Sequence, residues 1–134
     1  MGAVVLDSSV VIALFDPADA HHGASAAAVR AARDAEDDMI ITASVLSEVM
    51  VAAYRHDPDA GPRRLAALDA AFGPPRAVDR EVALRAAQLR GRHRGLRLPD
   101  ALVLAVGQVD DVDRVLTADK RWVAVDARVE VVGG

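Results

Sequence analysis

Short, mostly β-branched runs alternate along this chain with longer segments whose apolar residues recur at helical spacing. Ala3-Val4-Val5-Leu6 reads as a buried strand. Ser8 or Ser9 is placed to cap the helix that follows, which runs to Phe15 and is stopped by Asp16-Pro17. The Ala-rich segment 20–38 carries Arg and acids at the spacing of an amphipathic helix, and 39–41 is a second short strand. Thr42 or Ser44 opens a third helix to His56; residues 57–62 form a loop, and 63–72 a helix ended by Gly73-Pro74-Pro75. Residues 76–78 predict a short strand. Asp79 is placed to cap a helix over 80–94, with Leu84, Ala87 and Gln88 at helical spacing and Gly95 as its stop. Pro99 fits the first turn of a helix to Gln108, and 114–117 and 129–132 are the remaining strands.

Strands alternating with helices predict an α/β fold, a mostly parallel central sheet flanked by helices on both faces. The 134 residues suit one domain with one core, expected to span 1–134. Ligands in such sheets bind beyond the carboxyl ends of the strands. Asp7 directly follows the first strand, and Asp119 follows the strand ending at Thr117. Thr42, just past the second strand, opens the helix that carries Glu48. Three acids therefore reach one edge of the sheet. Asp100, in the helix after Gly95, joins them only if tertiary packing brings it there.

Taken singly, three of the four acids have ordinary explanations. Asp7 serves as a helix cap. Asp100, just after Pro99, gains about 0.3–1 kcal/mol from the helix dipole. Asp119, in Thr117-Ala118-Asp119-Lys120, suits a turn. Glu48 is harder to excuse. It lies within a helix among Val45, Leu46, Val49, Met50 and Val51, where a carboxylate on a buried face costs roughly several kcal/mol unless paired or metal-bound. The bland alternative is that it points outward between two apolar stripes.

Composition narrows the chemistry. The absence of Cys excludes disulfides, thiolate metal sites and cysteine nucleophiles. A net charge of -4 argues against coating nucleic acid by bulk charge and leaves room for a local basic patch. All but one of the 16 Lys and Arg residues are Arg, Lys120 being the exception. Aromatic residues are 3%, too few for an aromatic platform to dominate base stacking. No Ser-His-Asp order and no Gly-rich phosphate loop is present. His21 and His22 read as exposed helix residues, and His56 and His93 are isolated. No basic segment precedes the first apolar run, Leu6 breaks the myristoylation pattern begun by Gly2, and no apolar stretch is long enough to span a bilayer; a cytoplasmic protein is expected.

The acidic segments together resemble a known family. The first strand followed by Asp7-Ser8-Ser9-Val10-Val11-Ile12-Ala13-Leu14 resembles the opening motif of PIN domains. Thr42-Ala43-Ser44-Val45-Leu46-Ser47-Glu48-Val49 resembles their second acidic motif. The segment from Gly95 through Leu98-Pro99-Asp100-Ala101 to Ala105 resembles the third and is the most specific; Leu116-Thr117-Ala118-Asp119-Lys120-Arg121-Trp122 resembles the fourth. Order, spacing and length are similar from end to end to single-domain PIN proteins, most of which in bacteria are VapC-type toxins of toxin–antitoxin pairs. The resemblance implies a metal-dependent endoribonuclease acting on RNA and held inactive by a cognate antitoxin. By position, Asp7, Glu48, Asp100 and Asp119 would be the catalytic and metal-binding quartet, with Ser9 and Thr117 as supporting hydroxyls. The fourth acid varies most within the family. An antitoxin segment would lie in a groove formed by the helices over 10–35 and 45–54 and send a basic side chain toward the acids; those same faces suit core packing or a homodimer.

Clustered carboxylates raise one another's pKa and resist joint ionisation. One or two Mg²⁺ or Mn²⁺ ions would remove that penalty, since hard ions favour oxygen ligands. Arg90, Arg92, His93, Arg94 and Arg97 precede Asp100, and Lys120 and Arg121 follow Asp119. Of these, Arg92, Arg94, Arg97, Lys120 and Arg121 are the candidate phosphate contacts. The residues alone specify a phosphodiester; RNA comes from the resemblance. Two other readings are a non-catalytic RNA-binding PIN module and a Mg²⁺-dependent phosphoacceptor domain. The latter wants a second acid beside Asp7, where Ser8 and Ser9 stand instead.

Overall fold

Val4, Val5 and Leu6 are fully buried in the computed structural model, which describes residues 2–133. Successive side chains on a strand point to opposite faces, so the sheet is covered on both sides at this point. These residues belong to β1 (Ala3–Leu6), which pairs in parallel with β2 (Asp38–Ile40) on one side and β3 (Arg114–Thr117) on the other. β4 (Val129–Val131) extends the sheet beyond β3, giving the order β2-β1-β3-β4 with every pairing parallel. Six helices accompany it among the described residues: α1 (Ser8–Phe15), α2 (His22–Asp34), α3 (Ala43–His56), α4 (Gly61–Phe72), α5 (Arg80–Arg92) and α6 (Leu98–Val109). Short 3-10 turns lie at Pro58–Ala60 and Lys120–Ala124. The expected α/β architecture is present.

α6 is the most deeply buried helix, with Asp100, Ala101 and the run from Val103 to Gly107 all inside. Gly107 permits this depth. A Cβ there would stand 2.8 Å from a Val115 methyl of β3, so the helix backbone lies almost directly on the strand. α5 packs on α6 through Val82, Ala86 and Leu89. Leu84, Ala87 and Gln88, the residues first noted at helical spacing, lie on the exposed side.

Several boundaries differ for identifiable reasons. The helix expected over 20–38 is shorter, because Asp19 turns the chain before it and Glu36 adopts a positive φ after it. Asp37 then accepts hydrogen bonds from Gly2 N–H and Arg114, which tie the segment to the sheet. His21 and His22 are half-buried rather than exposed, and His22 Nδ1 lies 2.7 Å from the Ala13 carbonyl. The strand expected over 76–78 reduces to one parallel bridge between Arg76 and Thr42. Beyond Arg76 the chain has no strand to pair with, since the neighbouring segment turns into α3 at Ala43. The 57–62 loop contains a 3-10 turn, and α4 begins at Gly61.

Candidate functional site

The connection from β1 leaves toward β2 and that from β3 toward β4, so the carboxyl ends of β1 and β3 flank the point where the winding changes direction. Crevices at such points hold ligands in open parallel sheets. Asp7 sits there, one residue past β1, with Thr117 at the end of β3 beside it.

Asp7, not Ser8 or Ser9, is the N-cap of α1, accepting the Ser8 N–H at 2.7 Å. The serine hydroxyls are thereby released for the site. Ser9 Oγ donates to Asp7 Oδ2 at 2.7 Å and accepts the Ala118 N–H at 3.1 Å. Thr117 Oγ1 donates to the same Asp7 oxygen at 2.9 Å and accepts the Asp119 N–H at 3.1 Å. Two hydroxyls thus stitch β1 to the chain leaving β3 and fix the Asp7 carboxylate between them. Burial pushes Asp7 above its ordinary value; the Ser9 and Thr117 hydrogen bonds oppose this in part, and the Asp100 charge adds to it.

Glu48 is carried here by α3, whose N-cap Thr42 accepts the Val45 N–H at 3.0 Å. The side chain is half-buried and accepts from Ser8 Oγ at 3.2 Å. Ser8 is a site residue that sequence reasoning missed, because a serine at a helix start looks like a cap. Burial raises Glu48 as well, and the charges of Asp7 and Asp100 reinforce it. Asp100, buried in the first turn of α6, is therefore within electrostatic reach of both. Arg97 approaches both Asp100 oxygens at 3.4 Å, and its own proton is held more firmly by that contact and by the charges of Glu48 and Asp7. Asp7, Glu48 and Asp100 form one acidic cluster, with Arg97 as its exposed counter-charge.

Asp119 stands to one side of this trio. It caps the Lys120–Ala124 turn and accepts three hydrogen bonds from Arg121: backbone N–H at 2.9 Å, Nε at 3.0 Å and Nη2 at 2.7 Å. Arg121 accordingly holds the Asp119 carboxyl below its ordinary value. Asp100 and Asp119 share the wall of a cavity of about 290 Å³. Among the described residues, Arg97 and Arg121 are the candidate phosphate contacts that pair with site acids; Arg92, Arg94 and Lys120 are exposed and make no such bond. Arg90 serves structure, its Nε donating to the Leu96 carbonyl at 3.0 Å. A second cavity of about 310 Å³ lies between α1, α2 and α4, lined by Leu14, Phe15, Val29, Arg30, Arg33 and Phe72 among others. α3, which buries Val45 and Val49 in the core, does not line this cavity.

Among the described residues, no group of three acid or His side chains is already gathered closely enough to hold an ion. Ser8 and Arg97 engage two of these acids. The donor set nonetheless suits a hard divalent cation. Every candidate ligand is a carboxylate oxygen, two of the acids resist ionisation where they stand, and Mg²⁺ needs only one or two direct carboxylates because it keeps several waters.

Fold and site together define an α/β protein with an acidic cluster at the switch point of a parallel sheet. The sequence matches the PIN domain family over residues 4–128, and the chain belongs to that family. Its fold is similar to a toxin–antitoxin complex from Klebsiella pneumoniae, at TM-score 0.77 and 24% identity, with 96% of each chain covered. It is also similar to the sarcin–ricin loop cleaving toxin VapC20 from Mycobacterium tuberculosis, at TM-score 0.72 and 19% identity, over 90% of this chain and 93% of that one. FitAcB from Neisseria gonorrhoeae gives TM-score 0.75 at 19% identity, over 94% and 95%. At these identities the likeness is one of fold. No curated protein sequence matches the chain. No helix among the described residues is long and apolar enough to cross a membrane.

Proposed function

We propose that this protein is a divalent-metal-dependent endoribonuclease, a VapC-type toxin inhibited by a cognate antitoxin. Residues 1–134 act as one domain, in the cytoplasm and as a homodimer. The observation that carries the reading is that Asp7, Glu48 and Asp100 lie within electrostatic reach of one another at the carboxyl edge of the sheet, with Ser9 and Thr117 bonded to Asp7 and Ser8 to Glu48. Family membership and the cleaving activity printed for VapC20 support the same reading.

In this proposal Asp7, Glu48 and Asp100 would hold one or two Mg²⁺ or Mn²⁺ ions, with Asp119 at the margin of the set. When bound, the metal would supply charge neutralisation at the scissile phosphate and a more acidic water. The protein's own side chains do the positioning. Ser9 and Thr117 fix Asp7, Ser8 orients Glu48, and Arg97 and Arg121 offer positive charge to the RNA backbone beside the acids. Asp119 aims Arg121 before substrate arrives. The apolar groove between α1, α2 and α4, with Arg30 and Arg33 in its wall, suits an antitoxin segment. Exposed Val51, Tyr54 and Leu65 offer apolar surface for a second copy.

The test is RNA cleavage by the purified protein. Mg²⁺ or Mn²⁺ should support endonucleolytic cutting, EDTA should stop it, and adding Mn²⁺ back should restore it. Cutting that persists in excess EDTA would exclude the proposal.

A further inference from the structure

The cavity that shares Asp100 and Asp119 lies between the loop joining α5 to α6 and the Lys120–Ala124 turn. It opens directly off the acids. Away from them its wall is largely apolar, built from Leu96, Trp122 and Val125, with His93 and Arg121 as the polar exceptions. A sugar–phosphate backbone is too polar for such a slot. A base is flat, apolar on its faces and polar at its edge, and it is the part of an RNA strand that matches.

Arg121 strengthens the match. Its Nε and Nη2 are clamped on the Asp119 carboxylate, which fixes the guanidinium plane while 80% of the side chain stays exposed. Bases stack on guanidinium planes as they do on aromatic rings. Half-buried His93, at the C-terminal end of α5, brings an imidazole able to hydrogen-bond a base edge. We propose that this cavity seats one nucleobase of the RNA next to the cleaved phosphodiester and gives the enzyme a base preference there. The inference rests on the nuclease reading above.

Trp122 is the one tryptophan in the chain and is buried in the cavity wall, so its fluorescence reports occupancy without any cleavage. Titrating the purified protein with AMP, CMP, GMP and UMP should quench it saturably, and one base should bind more tightly than the others. Gly95→Leu narrows the slot from an open position, since a Cβ at Gly95 meets no atom within 4 Å. Ala124→Leu narrows it from the opposite side. Each should weaken nucleotide binding roughly tenfold, the order expected for losing one stacked base. On a randomised single-stranded RNA pool, the wild type should cut beside one preferred base, and both variants should cut with that preference erased. Equal quenching by ribose 5-phosphate, or an unchanged preference in both folded variants, would overturn the pocket. Saturable, base-selective quenching in a protein that cuts no RNA with any metal would sink the nuclease reading and leave the pocket standing.

Discussion

Burial disfavours the charged forms of Asp7 and Glu48, and hydrogen bonds from the hydroxyls around them offset this in part. Thr117 shares this work with Ser9 at Asp7, and its buried oxygen also accepts the Asp119 N–H. Thr117→Val keeps the shape and removes both bonds. It should cost about 1–3 kcal/mol in chemical denaturation, because the buried Asp7 carboxylate loses a donor and the half-buried Asp119 N–H loses its acceptor. It should also weaken Mn²⁺ binding by about 10- to 100-fold in calorimetry, the usual effect of losing a group that orients a ligand. Thr117→Ser should recover most of both; a fully metal-competent Thr117→Val would show that Asp7 needs no such support. Asp7, Asp119 and Glu48 stand out in the sequence because each follows a strand end or sits in an apolar helix, whereas Ser9 and Thr117 are expected only from the PIN resemblance and the approach of Asp100 depends on tertiary packing. Ser8 was not legible, because its partner Glu48 is remote in sequence and a serine at a helix start has the same local signature whether it caps or reaches across. Asp119, an expected acid ligand, and Arg121, an expected phosphate contact, form one hydrogen-bonded unit that the sequence does not reveal.

At the scale of elements, two helix caps were legible and the buried face of α5 was not. Thr42 and Asp79 cap α3 and α5 as expected, because capping is decided by a residue and its next few neighbours. In α5 the spacing from Leu84 through Ala87 to Gln88 includes a polar residue and faces outward, whereas the wholly apolar Val82, Ala86 and Leu89 pack on α6. The lost strand at 76–78 has a tertiary origin, for a strand requires a partner that local sequence does not name. The depth of α6 is another tertiary fact, and Gly107 tests it. Gly107→Ala gains about 1 kcal/mol of helix propensity, while overpacking against Val115 costs about 1–3 kcal/mol. The balance should be a loss of up to about 2 kcal/mol in urea unfolding. A clearly stabilised variant would show that α6 moves off β3 freely.

For the molecule as a whole, a four-stranded parallel sheet brings together acids drawn from four separate stretches of chain and places two of them where burial disfavours ionisation. Asp7 and Glu48 both titrate above their ordinary values of 3.8 and 4.5 in the folded protein. The folded state therefore binds protons more tightly than the unfolded chain, and stability falls as pH rises from those values through the raised ones. A divalent cation needs the ionised forms, so protons compete with it. Mn²⁺ should raise the melting temperature at about pH 7, and the increment should shrink toward about pH 5; a pH-independent increment would locate the ion elsewhere. The most direct measurement compares wild type with Glu48→Gln, since glutamine keeps an acceptor for Ser8 while removing the charge that the apolar surroundings of α3 do not explain. The metal-free variant should melt at the wild-type temperature or higher, and its Mn²⁺-supported RNA cleavage should fall by at least about 100-fold. A folded Glu48→Gln protein that cuts RNA at the wild-type rate would contradict the account.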